Sequence, residues 1–294
     1  MGIRIHVQSI YTPSMPGFGD GGYDAINDGV MRLYRQVLRP DTEVRPQFLP
    51  RSTYYTSHVY LEMINNIEVV RGVIQGEQDG YDVAFVRCGN DPGIREAREM
   101  VRYPVVGMTE AAMAYAMQLG SKFALIGVDE KSAPIVERNL RLYGLENRAI
   151  ADPARVPKAE GWDEGLHHAP RWFTDTDYVF DKVVPAFEEC ARGAIEDGAE
   201  VIVTSCALYS AFTLAGYNKV SGTEVPVLES VAVGIKQAEM MGDLHRSLGL
   251  TTSKHRTYFN YLQPEMRDQL MAPFFPDLAE KAAAARQAEA DKSA

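Results

Sequence analysis

The chain has 294 residues, and its contents of 46% hydrophobic and 24% charged residues are those of a globular protein long enough for two cores. A formal net charge of −10 argues against nucleic acid or an anionic membrane as a partner, since both require a basic surface. No stretch approaches the roughly 20 apolar residues of a membrane span, and the polar start predicts a strand rather than a secretory signal. Three cysteines without metal-type spacing predict free thiols in a reducing cytoplasm.

Strand patterns alternate with helix patterns along most of the chain, which predicts an α/β fold with mainly parallel sheets. The predicted strands are Ile3–Ile10, Glu43–Leu49, Val83–Val86, Pro104–Gly107, Lys122–Val128, Val201–Thr204 and Val225–Leu228. The predicted helices are Tyr23–Leu38, His58–Gln78, one that opens at Asp91-Pro92, Glu110–Leu119, Ala133–Tyr143, Tyr178–Asp197, Leu208–Tyr217 and Val231–Leu248. Pro46 places the second strand near a sheet edge.

Two parts of the chain depart from this alternation. Residues Ala151–Thr174 contain three prolines and both tryptophans, which predicts an insertion or a lid. The tail from Thr251 contains two aromatic clusters, Tyr258–Tyr261 and Phe274-Phe275, before a polar alanine-rich helix. Such a tail is expected to cap the chain's own core or to embrace a second subunit, and we expect a homo-oligomer.

The most informative feature is an internal repeat. Asp79–Cys88 reads DGYDVAFVRC and Asp197–Cys206 reads DGAEVIVTSC, and in each copy the cysteine stands nine positions after the first Asp. The repeat predicts two similar lobes, each of which places a thiol at the end of a buried strand, with both thiols facing one cleft. We assign residues 1–108 and 225–294 to lobe one, and residues 109–224 to lobe two.

Cys88 and Cys206 each follow a predicted strand and precede a predicted helix. Ligands of parallel α/β sheets bind outside the carboxyl ends of the strands, so both thiols are expected at the functional edge. A helix N-terminus favours the thiolate and is expected to lower the pKa of each thiol. A matched pair of such thiols suits proton transfer at the two faces of one carbon. Cys190 has no counterpart and is expected to be a small buried hydrophobe.

The residues after each cysteine are predicted to bind substrate. Gly89 allows close approach of the backbone, and Asn90 offers both a donor and an acceptor. Ala207 and Leu208 contribute backbone N–H groups, and Tyr209 adds a hydroxyl. Backbone donors at a helix start suit a carboxylate or a developing enolate oxygen.

Four more polar residues are expected at the same edge. Gln8 and Ser9 end the first strand. Arg51 follows the second strand and either binds an acid group or caps the next helix, while Thr109 either contacts the ligand or caps its own helix. Arg87 precedes the first cysteine in a strand, so strand alternation predicts that its side chain faces away from the thiol.

The sequence predicts an absence of cofactors. Gly17–Gly22 matches the pattern G-x-G-x-x-G but stands too far from the first strand for a nucleotide turn, and we interpret it as a flexible loop over the cleft. His167 and His168 have no third ligand, which favours a solvated loop over a metal site. No lysine has a persuasive context for binding pyridoxal phosphate.

The cysteine segments resemble the aspartate/glutamate/hydantoin racemase superfamily, and within it the hydantoin racemase branch. The similar segments are CGNDPGIREAREMVRYPVVGMTEAAM from Cys88, VIVTSCA around Cys206, and PVLESVAVGIKQAE from Pro226. The resemblance covers most of residues 1–248. It implies a cofactor-independent isomerase with two lobes related by pseudo-twofold symmetry and the active site in the cleft between them. Cys88 and Cys206, one from each lobe, would form the acid/base pair at the substrate's Cα.

The expected reaction is racemisation or epimerisation of a small molecule by two-base proton transfer. We expect a hydantoin or a related small acid rather than aspartate or glutamate, since Arg51 is the one plausible cation at the edge. A maleate-type cis–trans isomerase on this scaffold is an open alternative. An arylmalonate-type decarboxylase would need only the second cysteine, and a non-catalytic binding protein would need no reactive thiols.

Overall fold

The computed structural model describes residues 2–12, 22–54, 56–159, 162–255 and 260–293. Within these ranges the strands are β1 Arg4–Gln8, β2 Glu43–Gln47, β3 Val83–Val86, β4 Val105–Gly107, β5 Phe123–Ile126, β6 Ala149–Arg155, β7 Val201–Thr204 and β8 Val227–Leu228. The helices are α1 Gly22–Val37, α2 Val59–Gln78, α3 Ile94–Met100, α4 Met108–Ala116, α5 Ala133–Tyr143, α6 Trp162–His167, α7 Ala169–Trp172, α8 Thr176–Tyr178, α9 Val184–Glu196, α10 Ser210–Ala215, α11 Ser230–Leu248, α12 Pro264–Met271 and α13 Pro276–Ser293. Gly17–Gly21, most of the glycine-rich segment, lies outside the described residues.

The described strands form two parallel sheets with the same topology. Their orders are β2-β1-β3-β4 and β6-β5-β7-β8, so each strand of one sheet has a counterpart in the other. Parallel neighbours require a crossover connection, and the helices between successive strands supply it. The predicted α/β fold of two similar lobes is confirmed, and β2, which contains Pro46, is an edge strand as predicted.

The strands that precede the two cysteines are fully buried. All residues of β3 and β7 are buried, because each strand lies between two neighbours and has helices on both faces. The registers pair Phe85 with Val7 and Val106 in the first sheet, and Val203 with Leu125 and Leu228 in the second. These equivalent central strands hold the two cysteine loops on rigid supports.

The chain returns to lobe one later than the sequence indicates. We predicted that lobe one resumes at residue 225, but β8 pairs with β7 and belongs to the second sheet. The following helix, α11, packs on lobe one, where Gly234 lies against Phe85, and Gly242 against Ile3 and Val83. The crossing therefore falls between Leu228 and Ser230. None of the described helices is long and apolar enough to span a membrane.

The described part of the tail covers lobe one of the same chain. Leu278 of α13 is buried in the cluster that contains Val69 and Val86, and Phe275 packs against that cluster. Arg267 of α12 is buried, and its Nη1 atom lies 2.8 Å from Glu77 Oε2. Of the two functions expected for the tail, the described residues show the cap on its own core. Tyr258 and Phe259 of the first aromatic cluster lie outside them.

Candidate active site

The two repeated cysteines line one cavity between the lobes. Cys88 follows β3 and Cys206 follows β7, the equivalent strands of the two sheets. The cavity has a volume of about 510 Å³ and takes its wall from both lobes. Both cysteines are free thiols, as is Cys190, which lies outside this cavity.

Most of the cavity wall is apolar. Its apolar side chains include Ile10, Ile26, Val30, Val128 and Leu208. The polar ones include Ser9, Tyr11, Tyr23, Arg87, Asn90 and Asp129. Tyr11 and Tyr23 were not singled out from the sequence, because their aromatic positions could equally have belonged to the core.

The two cysteine loops touch each other across the cleft. A Cβ atom added to Gly89 would overlap the backbone oxygen of Ser205, so only glycine permits this approach. The sequence suggested that Gly89 lets the backbone approach substrate. The structure shows in addition that it lets the loop after β3 approach the loop after β7.

Contacts with α4 hold the loop that contains Cys88 in place. Thr109 Oγ1 donates a hydrogen bond to the Gly89 backbone oxygen at 2.8 Å. The Asp91 carboxylate accepts from the N–H groups of Thr109 and Glu110 at 3.0 and 2.7 Å. Asp91 therefore caps α4 and not α3, whose N-cap is Gly93. The hydroxyl of Thr109 is used within the fold and Thr109 lies outside the cavity wall, so the structure does not bring it to the site.

Asn90 lines the cavity and also ties the loop to its neighbours. Its Nδ2 atom donates to the Thr56 backbone oxygen at 3.3 Å, and its own backbone oxygen accepts from Asn139 Nδ2 at 2.8 Å. Thr56 belongs to the segment before α2 and Asn139 to α5 of lobe two. Asn90 is thus held by both lobes while its side chain borders the cavity.

The second cysteine loop presents backbone rather than hydroxyl groups to the cavity. Ala207 and Leu208 line it, as expected. Tyr209 is fully buried behind them, where its hydroxyl donates to the Gly127 backbone oxygen at 2.9 Å and its ring packs on Phe187. Tyr209 therefore lies outside the cavity wall, contrary to expectation, because the short helical turn at Ala207–Tyr209 directs its ring into the lobe-two core.

Gln8 and Arg51 also lie outside the cavity wall. The Gln8 side chain points toward α2, where it lies against Gly72. Its Nε2 atom donates to the Ser9 backbone oxygen at 2.7 Å, and its Oε1 atom lies 3.0 Å from His6 Nε2. Arg51 is exposed and forms an ion pair with Glu68, with Nε at 3.0 Å from Oε1. Ser9 faces the cavity instead, since successive strand residues point in opposite directions.

Burial dominates the ionisation of both thiols. It raises the pKa of Cys88 well above its usual value, against the opposing effect of the Asn90 backbone N–H group. It also raises the pKa of Cys206 to about 11, although the N–H groups of Leu208 and Ala207 favour the thiolate. The predicted lowering of the thiol pKa values is wrong, because desolvation outweighs the backbone donors.

Arg87 lines the cavity, contrary to the expectation from strand alternation. β3 ends at Val86, and the Cys88 N–H group donates to the Val86 backbone oxygen at 3.2 Å, a three-residue turn centred on Arg87. The pleat stops at this turn, so alternation no longer separates Arg87 from Cys88. Its Nη2 atom donates to Tyr23 Oη at 3.2 Å.

The segment predicted to be an insertion or a lid contributes to the cavity rim. Both tryptophans are buried, and Trp162 Nε1 donates to the Val128 backbone oxygen at 3.1 Å. Leu166 and His167, at the end of α6, line the cavity. Within the described ranges no group of three or more His, Cys, Asp or Glu side chains could hold a metal ion.

Comparison with known proteins places the chain in a family. The model of the Asp/Glu/hydantoin racemase family matches residues 46–238. The chain belongs to this family. It is therefore a racemase-type isomerase with the two-lobe racemase fold.

Two curated relatives support the hydantoin racemase branch. A hydantoin racemase from Rhizobium meliloti is 32% identical over 184 residues, which cover 63% of this chain and 68% of that protein. One from Pseudomonas sp. (strain NS671) is 28% identical over 240 residues, which cover 80% of this chain and 86% of that protein.

A solved structure shares the fold of this racemase. The allantoin racemase from Klebsiella pneumoniae has a TM-score of 0.66 at 22% identity, and the match covers 89% of this chain and 94% of that one. Its two-lobe architecture agrees with the repeated sheets described above.

Proposed function

We propose that this racemase inverts a carbon acid of the hydantoin type by proton transfer between Cys88 and Cys206. The observation that carries the proposal is the position of the two thiols, which come from equivalent strands and line one cavity. A planar carbanion held between them would have one thiol on each face. The chain itself then supplies both the base and the acid.

In each turnover one cysteine acts as thiolate and the other as thiol. The thiolate removes the proton on the substrate carbon, and the opposite thiol delivers its proton to the other face. After product leaves, the two sulfurs have exchanged protonation states. General acid–base catalysis of this kind contributes about 10²–10⁴-fold, so stabilisation of the carbanion must supply much of the remainder.

The groups proposed to stabilise the carbanion surround the two sulfurs. The backbone N–H groups of Ala207 and Leu208 lie at Cys206, and that of Asn90 lies at Cys88. The side chains of Asn90 and Ser9 line the same cavity. Such fixed donors need no reorganisation when charge develops on a ring carbonyl oxygen.

The cavity wall favours a hydantoin over an acidic amino acid. A hydantoin has a relatively acidic ring proton and requires amide-type hydrogen bonds with room for a side chain. The largely apolar wall provides that room. Aspartate and glutamate carry two carboxylates, whereas Arg87 is the one Lys or Arg side chain among the described residues of this wall.

Replacing either cavity cysteine tests the mechanism. Cys88→Ala and Cys206→Ala are each expected to reduce racemisation of 5-substituted hydantoins by at least about 10³-fold, because each removes the proposed proton carrier on one face. One-directional exchange of the ring proton with deuterated solvent can persist through the remaining thiol. Polarimetry follows racemisation, and proton NMR follows exchange.

Cys190→Ala is the matched control, since Cys190 is a free cysteine outside the cavity. Its activity should equal that of the wild type. Racemisation at the wild-type rate by both the Cys88 and the Cys206 variants would refute the mechanism.

A further inference from the structure

One cation of the cavity has no acidic partner. Arg87 is only 7% exposed, and its Nη2 atom donates to Tyr23 Oη at 3.2 Å and to Asn27 Oδ1 at 3.1 Å. Both acceptors are neutral. In the part of the chain that the structure describes, no Asp or Glu side chain forms an ion pair with Arg87.

The other buried arginine among the described residues, Arg267, has acidic partners, and so does the partly buried Arg98. Arg267 lies 2.8 Å from Glu77 and 3.1 Å from Asp268, and the partly buried Arg98 pairs with Glu110 at 2.9 Å. A buried charge is costly unless it is paired. Arg87 therefore lines the cavity as a desolvated cation that an incoming anion would stabilise.

We propose that Arg87 binds a carboxylate of the substrate, so that the preferred substrate is a hydantoin whose 5-substituent carries a negative charge. This inference rests on the proposed function. A guanidinium binds a carboxylate through two parallel N–H donors, and its bonds to Tyr23 and Asn27 occupy only Nη2. The Tyr34 hydroxyl also faces the guanidinium and is neutral, so N–H donors of Arg87 remain for the ligand.

The position of Arg87 assigns the carboxylate to the substituent rather than to the reacting carbon. Its guanidinium is held at α1 by Tyr23 and Asn27, and Ile26 and Val30 of the same helix form apolar wall. A substituent that extends from a ring between the cysteines along this wall would bring its charged end to Arg87.

A short hydrogen-bonded chain fixes the guanidinium. Ser9 Oγ lies 2.9 Å from Tyr23 Oη, and Tyr23 Oη accepts from Arg87. Asn27 holds the same Nη2 atom from the next turn of α1. Tyr23 and Asn27 are thus positioning residues for Arg87, and a pre-oriented cation binds its ligand with less loss of entropy.

A pair of nearly isosteric substrates tests the inference. Hydantoin-5-acetate carries the carboxylate, and hydantoin-5-acetamide replaces it with a neutral amide. Exchange of the C5 proton with deuterated solvent, followed by proton NMR, gives kcat/KM for each. The wild type is expected to have a kcat/KM about 10–100-fold higher for the acetate. This is the preference expected from one charge-assisted hydrogen-bonded pair.

Arg87→Gln should lower kcat/KM for the acetate by about 10–100-fold, mainly through KM, and change that for the acetamide by less than about threefold. Arg87→Lys keeps the charge and should retain part of the preference. Arg51→Gln is the matched control, because Arg51 is an arginine outside the cavity. It should leave both values unchanged.

Two results would overturn the inference. One is a wild-type enzyme that uses the acetamide as well as the acetate, a result that requires no variant to fold. The other is an equal loss of kcat on both substrates in Arg87→Gln, which would place Arg87 at the developing enolate oxygen.

Calorimetric titration of hydantoin-5-acetate separates this inference from the proposed function. The Cys88→Ala/Cys206→Ala double variant should bind it at least about tenfold more tightly than the same protein with Arg87→Gln. Such a difference without any C5 exchange in the wild type would support the anion site and refute the racemisation. Equal dissociation constants would refute the anion site alone.

Discussion

At the scale of single residues, two opposing effects act on each cavity thiol. Neighbouring N–H groups favour the thiolate, while burial in the cavity favours the thiol. Burial is the stronger effect at both positions. Both thiols therefore hold their protons near neutral pH.

This ionisation predicts the pH dependence of activity. With a pKa of about 11 at Cys206, only about one molecule in 10⁴ holds the thiolate at pH 7, and this fraction rises tenfold for each pH unit. We expect kcat/KM for a 5-substituted hydantoin to rise about tenfold per unit between pH 6 and 8.5. Circular dichroism follows the rate, and the Cys88→Ala/Cys206→Ala protein gives the spontaneous background to subtract. A plateau below pH 7.5 would contradict the raised thiol pKa values.

At the scale of elements, the site depends on how two loops after equivalent strands meet. The loop after β3 is held by Thr109 of α4 and by Asn139 of α5. It meets the loop after β7 where Gly89 lies against Ser205. The distance between the two sulfurs therefore depends on a backbone contact between lobes.

Gly89→Ala tests this contact. The added methyl group would overlap the Ser205 backbone oxygen, so the loops must separate and the thiols must move apart. We expect kcat to fall by at least about tenfold and the free energy of unfolding to fall by about 1–3 kcal/mol. Steady-state kinetics and urea denaturation measure the two effects.

Gly193→Ala provides the control for that substitution. Gly193 lies within α9, and a methyl group there would meet only Arg155 Nη1 at an ordinary 3.5 Å. Activity should be unchanged and stability equal or slightly higher, since alanine favours the helix. Wild-type kinetics in Gly89→Ala would show that the loops can separate without cost to catalysis.

At the scale of the whole molecule, both the N-terminal strands and the C-terminal helices pack in the first lobe. The chain leaves lobe one after β4, builds the second sheet through β8 and returns in α11. The tail then covers lobe one, where Leu278 enters the core and Lys281 pairs with Asp79 at 2.5 Å. The first lobe thus consists of segments that are distant in the sequence, and its stability depends on residues near the C-terminus.

Two leucines of the tail test its packing. Leu278 is 4% exposed and Leu270 is 59% exposed. Leu278→Ala should lower the free energy of unfolding by about 2–4 kcal/mol, because it opens a cavity in the core, while Leu270→Ala should change it by less than about 0.5 kcal/mol. Urea denaturation measures both. Equal effects would show that the tail does not pack on lobe one in solution.

The sequence by itself determined the repeated architecture and the place of the two cysteines. Each copy of the repeat contains its own apolar strand followed by a turn. This pattern is local, so one sequence is enough to recognise it. The structure decided which polar neighbours reach the cavity. Gln8, Arg51, Thr109 and Tyr209 turn away from it, because the direction of a side chain after a strand depends on the turn that follows.

Arg87 lines the cavity for the same reason. It lies at a three-residue turn, which the strand alternation of the sequence does not predict. The thiol pKa values likewise depend on burial by distant residues. Tyr11 packs against the cluster that contains Cys88, and Cys206 packs against a core cluster that includes Ile126 and Tyr209. The local sequence pattern determines the position of a side chain along a strand. Its direction and its environment are determined only when distant segments pack around it.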